Sequence, residues 1–353
     1  MARKIKLGIT IGDVNGVGPE VIIKALSAPK MTEYFTPIIY GNSKALAYHK
    51  NIAKDVNFNY VSINDVENAA YNKVNIINVW TDGGEIQLGV PTKESGSNAF
   101  LALERAVADA QAGKIDALVT GPINKHAMEK AGFKHVGHTE YLTETLSATE
   151  SVMTMVSDSV TISVASNHIA IKDVVNHLDK KTIIRKLKVM SKSLREDFGI
   201  ERPTIGVLGL NPHAGDNGLI GTEEQEFISS AIIEAKRNGV LVSGPHPADG
   251  FFGKREFTKV DAILAMYHDQ GLIPFKLLSF GDGVNYTAGL PIIRTSPDHG
   301  TAYDIAGKNI ADPSSMRKAM FLAKDIYSNR KISTDGNRDV VKKTSKPQEK
   351  IQE

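Results

Sequence analysis

Short runs of β-branched residues alternate along the chain with longer stretches of helical periodicity, and this alternation limits the fold more than any other feature. A strand that runs into a helix and returns beside its predecessor closes into a mostly parallel sheet covered by helices. The runs predict strands at 6–11, 37–40, 74–79, 117–120, 160–165, 204–208 and 262–266. Between them, Ala99, Leu103, Ala106, Val107 and Ala110 mark one face of a helix that stops at Gly113. Ile183, Leu187, Met190, Leu194 and Phe198 repeat the pattern before Gly199. Phe227, Ile228, Ala231, Ile232 and Ala235 form a third stripe, opened by Thr222 with Gln225 as a capping box and closed by Gly239. Such stripes are core faces rather than cofactor contacts.

Composition narrows what this α/β chain can do. Its 353 residues, 41% hydrophobic and 23% charged, suffice for two domains with cores of their own. No internal repeat or Gly/Ser-rich linker marks a border. The formal charge is +2 with basic residues scattered, so no footprint for nucleic acid is visible. Cysteine is absent, so any metal must be held by His, Asp, Glu or water. Near the start, the apolar run is broken by Gly8, Gly12 and Asp13 before it could act as a signal core, and no stretch reaches membrane-span length. A soluble, cytoplasmic chain is expected, with 335–353 as a polar, flexible tail.

Three histidines follow predicted strands in polar turns: His168 in SNHIAIKD, His213 in GLNPHAGD and His268 in AMYHDQG. Imidazoles converging from three loops suit a borderline divalent cation with positions left open. Each alone reads more plainly as a hydrogen-bonded loop residue. Asp216, Asp249 and Asp269 lie close by in sequence, as further ligands, supporting partners or the general base, with surface acid as the default. GHTE, with His138, Thr139 and Glu140, opens a helix whose free N–H groups could take an anion or simply form a capped turn. Lys276, Asn285 and Arg294 fall in one Gly/Pro-rich stretch with little periodicity, where a point charge and a guanidinium fork suit a phosphate or carboxylate. The GDVNGVGPE turn lacks the dinucleotide spacing, and Glu20 in the first helical turn would oppose a pyrophosphate, so it reads as a packing turn. In TGPINKH, Asn124 and Lys125 could face a cleft.

Together these blocks resemble the 4-hydroxythreonine-4-phosphate dehydrogenase family of vitamin B6 synthesis. GDVNGVGPE, TGPINKHAMEKAG, GHTEYL, GLNPHAGDNGLIGTEE, AMYHDQGLIPFK and GVNYTAGLPIIRTSPDHGTA occur in family order across nearly all of 5–330. The resemblance implies a two-domain isocitrate/isopropylmalate dehydrogenase-like α/β fold with an interdomain active-site cleft. One domain would comprise 1–130 plus about 285–330, and the second 131–284, carrying the histidines. It implies His168, His213 and His268 as ligands of Zn, Mg, Co or Mn. Substrate contacts would be His138, Thr139, Lys276, Asn285 and Arg294, in a homodimer whose active sites are shared. Two departures stand out: SNH where the family more often has TTH or STH, and Asp216 in place of a usual Glu.

The chemistry implied is NAD-dependent oxidation and decarboxylation of 4-phosphooxy-L-threonine to 3-amino-2-oxopropyl phosphate. Asp249 and Asp269 are candidates for the base. Relatives acting on 4-phospho-D-threonate or D-erythronate share the blocks, and those substrates differ chiefly at C2, a hydroxyl in place of an amine. A phosphate acyltransferase-like enzyme would need neither the histidines nor NAD. A non-catalytic phosphometabolite binder would keep only the Lys276, Asn285 and Arg294 clamp.

Overall fold

The structure, a computed structural model, describes residues 4–344 apart from 55, 82, 83 and 280, and the backbone without side chains over 335–344. The tail expected at 335–353 therefore lies outside the residues whose side chains are described, although the last helix, Ser314–Thr344, carries the backbone through its first part.

Among the described residues, twelve strands form one continuous sheet: β1 Ile5–Thr10, β2 Phe35–Gly41, β3 Tyr60–Ile63, β4 Val74–Asn78, β5 Ala117–Thr120, β6 Val152–Val156, β7 Thr161–Val164, β8 Thr204–Leu208, β9 Leu241–His246, β10 Ala262–Ala265, β11 Val284–Ala288 and β12 Arg294–Pro297. Their order across the sheet is β3-β4-β2-β1-β5-β12-β11-β6-β7-β10-β8-β9. All seven expected strands are present within two residues at their ends, and β2, β5 and β10 are buried along their whole length, as strands covered on both faces must be.

The centre of the sheet departs from the parallel expectation. β11 runs antiparallel to both β12 and β6, and β6 antiparallel to β7, so two parallel blocks join through an antiparallel seam. The stretch read as irregular around Lys276, Asn285 and Arg294 is in fact the helix His268–Ser279 followed by the β11/β12 hairpin. Its polar composition hid it: Asn285 and Thr287 of β11 and Arg294 and Ser296 of β12 replace the apolar residues by which a buried strand is recognised.

Two further details differ. The helix after Thr222 opens without the expected capping box; the Thr222 hydroxyl donates to Glu226, and a wide turn over Glu224–Ile228 leads into Ser229–Arg237. Asn124 caps the helix Lys125–Lys130, accepting from the Ala127 N–H at 2.9 Å, rather than facing a cleft.

The GDVNGVGPE loop behaves as a packing turn. Gly12 has φ +74, and a Cβ at Gly16 would lie 2.7 Å from the Thr301 carbonyl oxygen, so the loop is closed by protein rather than open to a phosphate. Asp13 beneath it accepts hydrogen bonds from the Tyr303 and Ser95 hydroxyls. Among the described residues, no helix is long and apolar enough to cross a membrane.

Candidate active site

The period of two along a strand puts alternate side chains on one face, and the register of the seam selects which. Asn285 stands opposite Ser296 on one side and Met155 on the other, with Thr287 opposite Met153. Arg294, Ser296, Asn285, Met153 and Met155 thus form the floor of a cavity of about 280 Å³. Its walls are the start of the helix His138–Thr145, the loop Gly121–Ile123 after β5, the helix His268–Ser279 and the loop Asp298–Gly300 after β12.

Seven of the eleven residues singled out as metal, substrate or acid–base candidates line this cavity: His138, Thr139, His168, His268, Lys276, Asn285 and Arg294. Lys125, singled out with Asn124, also lines it. His213, Asp216, Asp249 and Asp269 do not. A larger cleft of about 730 Å³ beside the helix Lys180–Glu196 holds none of them, and most of its cations are already paired: Arg185 with Glu150, Lys192 with Glu196, Arg330 with Asp197.

Arg294 is only 2% exposed, yet it has no ion pair among the described residues. Its guanidinium donates to the hydroxyls of Thr120 and Thr287 and to His138 Nδ1, at 2.7 to 3.2 Å. These bonds occupy four of its five N–H donors. Burial pushes its pKa down to about 10 while Glu140 pulls it up, so the group stays charged at neutral pH.

That arrangement fixes the His138 tautomer. A guanidinium can only donate, so Nδ1 accepts and Nε2 carries the proton. Nε2 is buried without a partner, and burial reinforced by the Arg294 charge holds the ring well below the ordinary imidazole range, hence neutral. The helix that begins at His138 has no side-chain cap at Gly137, so the His138 and Thr139 N–H groups are unspent by side chains, while the Glu140 N–H meets its own carboxylate. Asn285 Oδ1 is buried and unpartnered as well.

His168 and His268 come together because hydrogen bonds tie the loops after adjacent strands. The Ala165 N–H donates to the Ala265 carbonyl at 2.8 Å and the Ser166 hydroxyl to the Met266 carbonyl at 2.8 Å. Gln270 extends the tie, accepting from the Met266 N–H and donating to the Gly209 carbonyl beyond β8. The two imidazole centroids lie 5.8 Å apart. His268 Nδ1 is 2.7 Å from Asp269 Oδ1, which commits that exposed carboxylate to the ring beside it. His168 Nδ1 is 3.6 Å from Glu140 Oε1. Burial opposes ionisation of Glu140, but His168, the hydrogen bond from the residue's own backbone N–H and the Lys125 charge together outweigh it and hold the carboxyl below its usual range.

His213 sits apart, exposed, in a loop of six successive residues with positive φ, His213 to Gly218, from 41° at Asp216 to 94° at Gly218. Four of them are not glycine, a conformation that costs roughly 1–2 kcal/mol per residue. Buried Glu224 sustains it, accepting from the Leu210 and Asn211 N–H groups at 2.7 and 2.8 Å. Asp216 shares the loop, and Asp249 lies exposed in the helix Ala248–Gly253. No three metal-binding side chains gather at one point among the described residues.

Sequence reasoning missed Asp298, His299, Met153 and Met155 in the lining. Burial pushes the Asp298 carboxyl up against the pull of Lys276 and His299, and His299 Nε2 is buried without a partner. The available signal was the PDHG turn itself, polar and directly after a strand.

Comparison with known proteins agrees with this geometry. A family model described as pyridoxal phosphate biosynthetic protein PdxA matches residues 33–323. A 4-hydroxythreonine-4-phosphate dehydrogenase from Bacteroides thetaiotaomicron is 47% identical over 93% of this chain and 90% of its own length. A relative from Oceanobacillus iheyensis, 39% identical over 92% of this chain and 99% of its own, is provisionally described as a D-threonate 4-phosphate dehydrogenase. The crystal structure of 4-hydroxythreonine-4-phosphate dehydrogenase from Klebsiella pneumoniae superposes with a TM-score of 0.81 at 35% identity, covering 92% of this chain and 99% of that one. The chain belongs to the PdxA family of pyridoxal phosphate biosynthetic proteins.

Proposed function

We propose that the protein catalyses NAD-dependent, divalent-cation-dependent oxidation and decarboxylation of 4-phosphooxy-L-threonine to 3-amino-2-oxopropyl phosphate, in the cytoplasm. The observation that carries this reading is the buried, unpaired cation on the cavity floor. An isolated interior charge is strongly disfavoured unless an opposite charge arrives. Arg294 meets the cavity beside Lys276, the proton on His138 Nε2 and the uncapped helix start at Thr139, a set of donors suited to a phosphate. Asn285 offers a further buried polar contact.

The histidines fit a divalent cation in part. His168 and His268 each face a carboxylate with Nδ1, which leaves Nε2 for a metal. The third donor in this reading is His213 of a second copy of the chain. Large apolar side chains are exposed on the elements that carry these histidines: Ile171 after His168, Leu219 after His213, and Ile273 and Leu277 on the helix opened by His268. A homodimer with shared sites would cover them, and the strained loop would present His213 to the neighbouring cavity. The two sequence blocks, 1–130 with about 285–330 and 131–284, would be its lobes.

Bound there, the cation would polarise the substrate's C3 hydroxyl and the carbonyl formed from it, which favours loss of carbon dioxide from the neighbouring carboxylate. Asp298 and His299, in the loop after β12, line the same cavity. Lys276, Arg294 and His138 hold the phosphate, and Met153 and Met155 exclude water from the floor. Asp249 and Asp269 remain proposals for the base; the Asp269 carboxylate would first have to leave His268.

The test is NADH formation on mixing protein, NAD, cation and 4-phosphooxy-L-threonine. Chelation should abolish it, and Zn, Mg, Co or Mn should restore it. Full turnover after metal stripping would remove the cation from the account. A second reading, oxidation of 4-phospho-D-threonate or D-erythronate, is favoured by the Oceanobacillus relative. Faster NADH formation with those acids would establish it instead.

A further inference from the structure

Both cavity histidines have a carboxylate behind them, but the two pairs are built differently. Asp269 is the chain neighbour of His268, whereas Glu140 reaches His168 from another element, the first turn of the helix His138–Thr145. That turn is rigidly seated. Thr139 and Leu142 are buried, and Tyr141 packs against the rings of Phe100, Phe133 and His135 with centroids 5.4 to 5.8 Å apart. Glu140 is thus presented from a fixed backbone, between the two residues before it that line the anion pocket and the histidine across the cavity.

The side chain has one local contact, a hydrogen bond from its own backbone N–H, which itself fixes the carboxylate on the first turn. Oε1 lies 3.6 Å from His168 Nδ1, within ion-pair range but beyond hydrogen-bond length, and Oε2 is buried with no partner among the described residues. A metal-ligating histidine is commonly oriented by a carboxylate that takes the proton of its other ring nitrogen, which fixes the tautomer and the ring plane. Asp269 already meets His268 in that way at 2.7 Å. Glu140 stands where the same service to His168 requires a closure of only a few tenths of an ångström.

We propose that Glu140 is the positioning residue for His168, holding the imidazole with Nε2 turned toward the cation. This rests on the reading of His168 as a metal ligand.

The test uses the full chain, stripped of metal and titrated with cobalt(II) alone, with affinity read by calorimetry and by the visible spectrum of the bound ion. Glu140→Gln, close to isosteric, should weaken cobalt binding by about 10- to 100-fold, with the thermal midpoint of the metal-free protein unchanged. Glu140→Asp, which keeps the charge but shortens the reach, should fall between. Saturating cobalt should narrow the deficit in kcat, while KM for the phosphorylated substrate stays near that of the parent. If His168→Ala weakens cobalt binding and Glu140→Gln does not, the positioning role is wrong and the metal reading stands. If neither does, both fall. A lower thermal midpoint with unaltered cobalt affinity in the folded protein would make Glu140 a structural residue only.

Discussion

Lys276 gives the cleaner test of the phosphate pocket, because it can be removed without breaking anything else. It stands on the helix His268–Ser279 and reaches the cavity, with no hydrogen bond or ion pair among the described residues. Arg294→Ala, by contrast, would strand Thr120, Thr287 and His138 in the interior, so lost activity would mix with lost stability. A charge-assisted hydrogen bond contributes roughly 1.5–3 kcal/mol. Lys276 is exposed, where solvent screens charge, so the lower end applies and Lys276→Ala should reduce kcat/KM about tenfold. The assay is initial NADH formation with the phosphorylated hydroxy acid and with its unphosphorylated counterpart, for parent and variant. The unphosphorylated acid lacks the ligand of the clamp and should lose less than about twofold. That coupling between side chain and substrate group isolates the contact. An equal loss with both substrates would mean that Lys276 serves the carboxylate or the fold, and the phosphate assignment would be withdrawn.

Two other outcomes follow from the geometry. Mixing inactive His213→Ala and His268→Ala proteins under conditions that exchange subunits should regenerate part of the activity, since a mixed dimer keeps one site with all three histidines; no recovery, with exchange demonstrated, would argue against shared sites. His49 is buried, its Nε2 donating to the Val14 carbonyl at 2.7 Å, and burial lowers its pKa to about 4 despite the opposing pull of that bond and of Glu20. The unfolded imidazole takes its proton near 6.5, so the contribution is complete above that pH and is lost as pH falls toward 4, by roughly 3 kcal/mol. His49→Gln should flatten that decline in chemical denaturation curves, leaving the share due to His138, and an unchanged slope would show that His49 is not protonated on unfolding.

Sequence reasoning reached furthest where one physical signal acted alone. The apolar, β-branched runs of β1, β2, β5, β8 and β10 could hardly be misread, because near-complete burial on both faces leaves few polar residues in them. β11 and β12 were lost for the opposite reason: Asn285, Arg294 and Ser296 line the cavity and Thr287 is buried behind them against Arg294, and function overrides strand propensity there. Asn285 and Arg294 were nevertheless legible as chemistry, since a cation and an amide in a glycine-rich stretch have few structural uses. Contacts between distant segments were out of reach. Nothing local pairs Glu140 with His168, or reveals that Arg294 would be buried without a counter-charge. The run of left-handed residues around His213 was equally hidden, because it depends on Glu224 accepting hydrogen bonds from across the loop.

The central claim is that oxidation and loss of the carboxylate occur on one phosphorylated substrate in this cavity. The most direct measurement supplies 4-phosphooxy-L-threonine labelled at its carboxylate carbon and follows NADH and released carbon dioxide together. The account predicts the two in equal amounts, dependent on cation and sharply reduced in His168→Ala and Arg294→Ala. NADH without labelled carbon dioxide would contradict decarboxylation at this site, and neither product with the fully metallated dimer would contradict the proposed substrate.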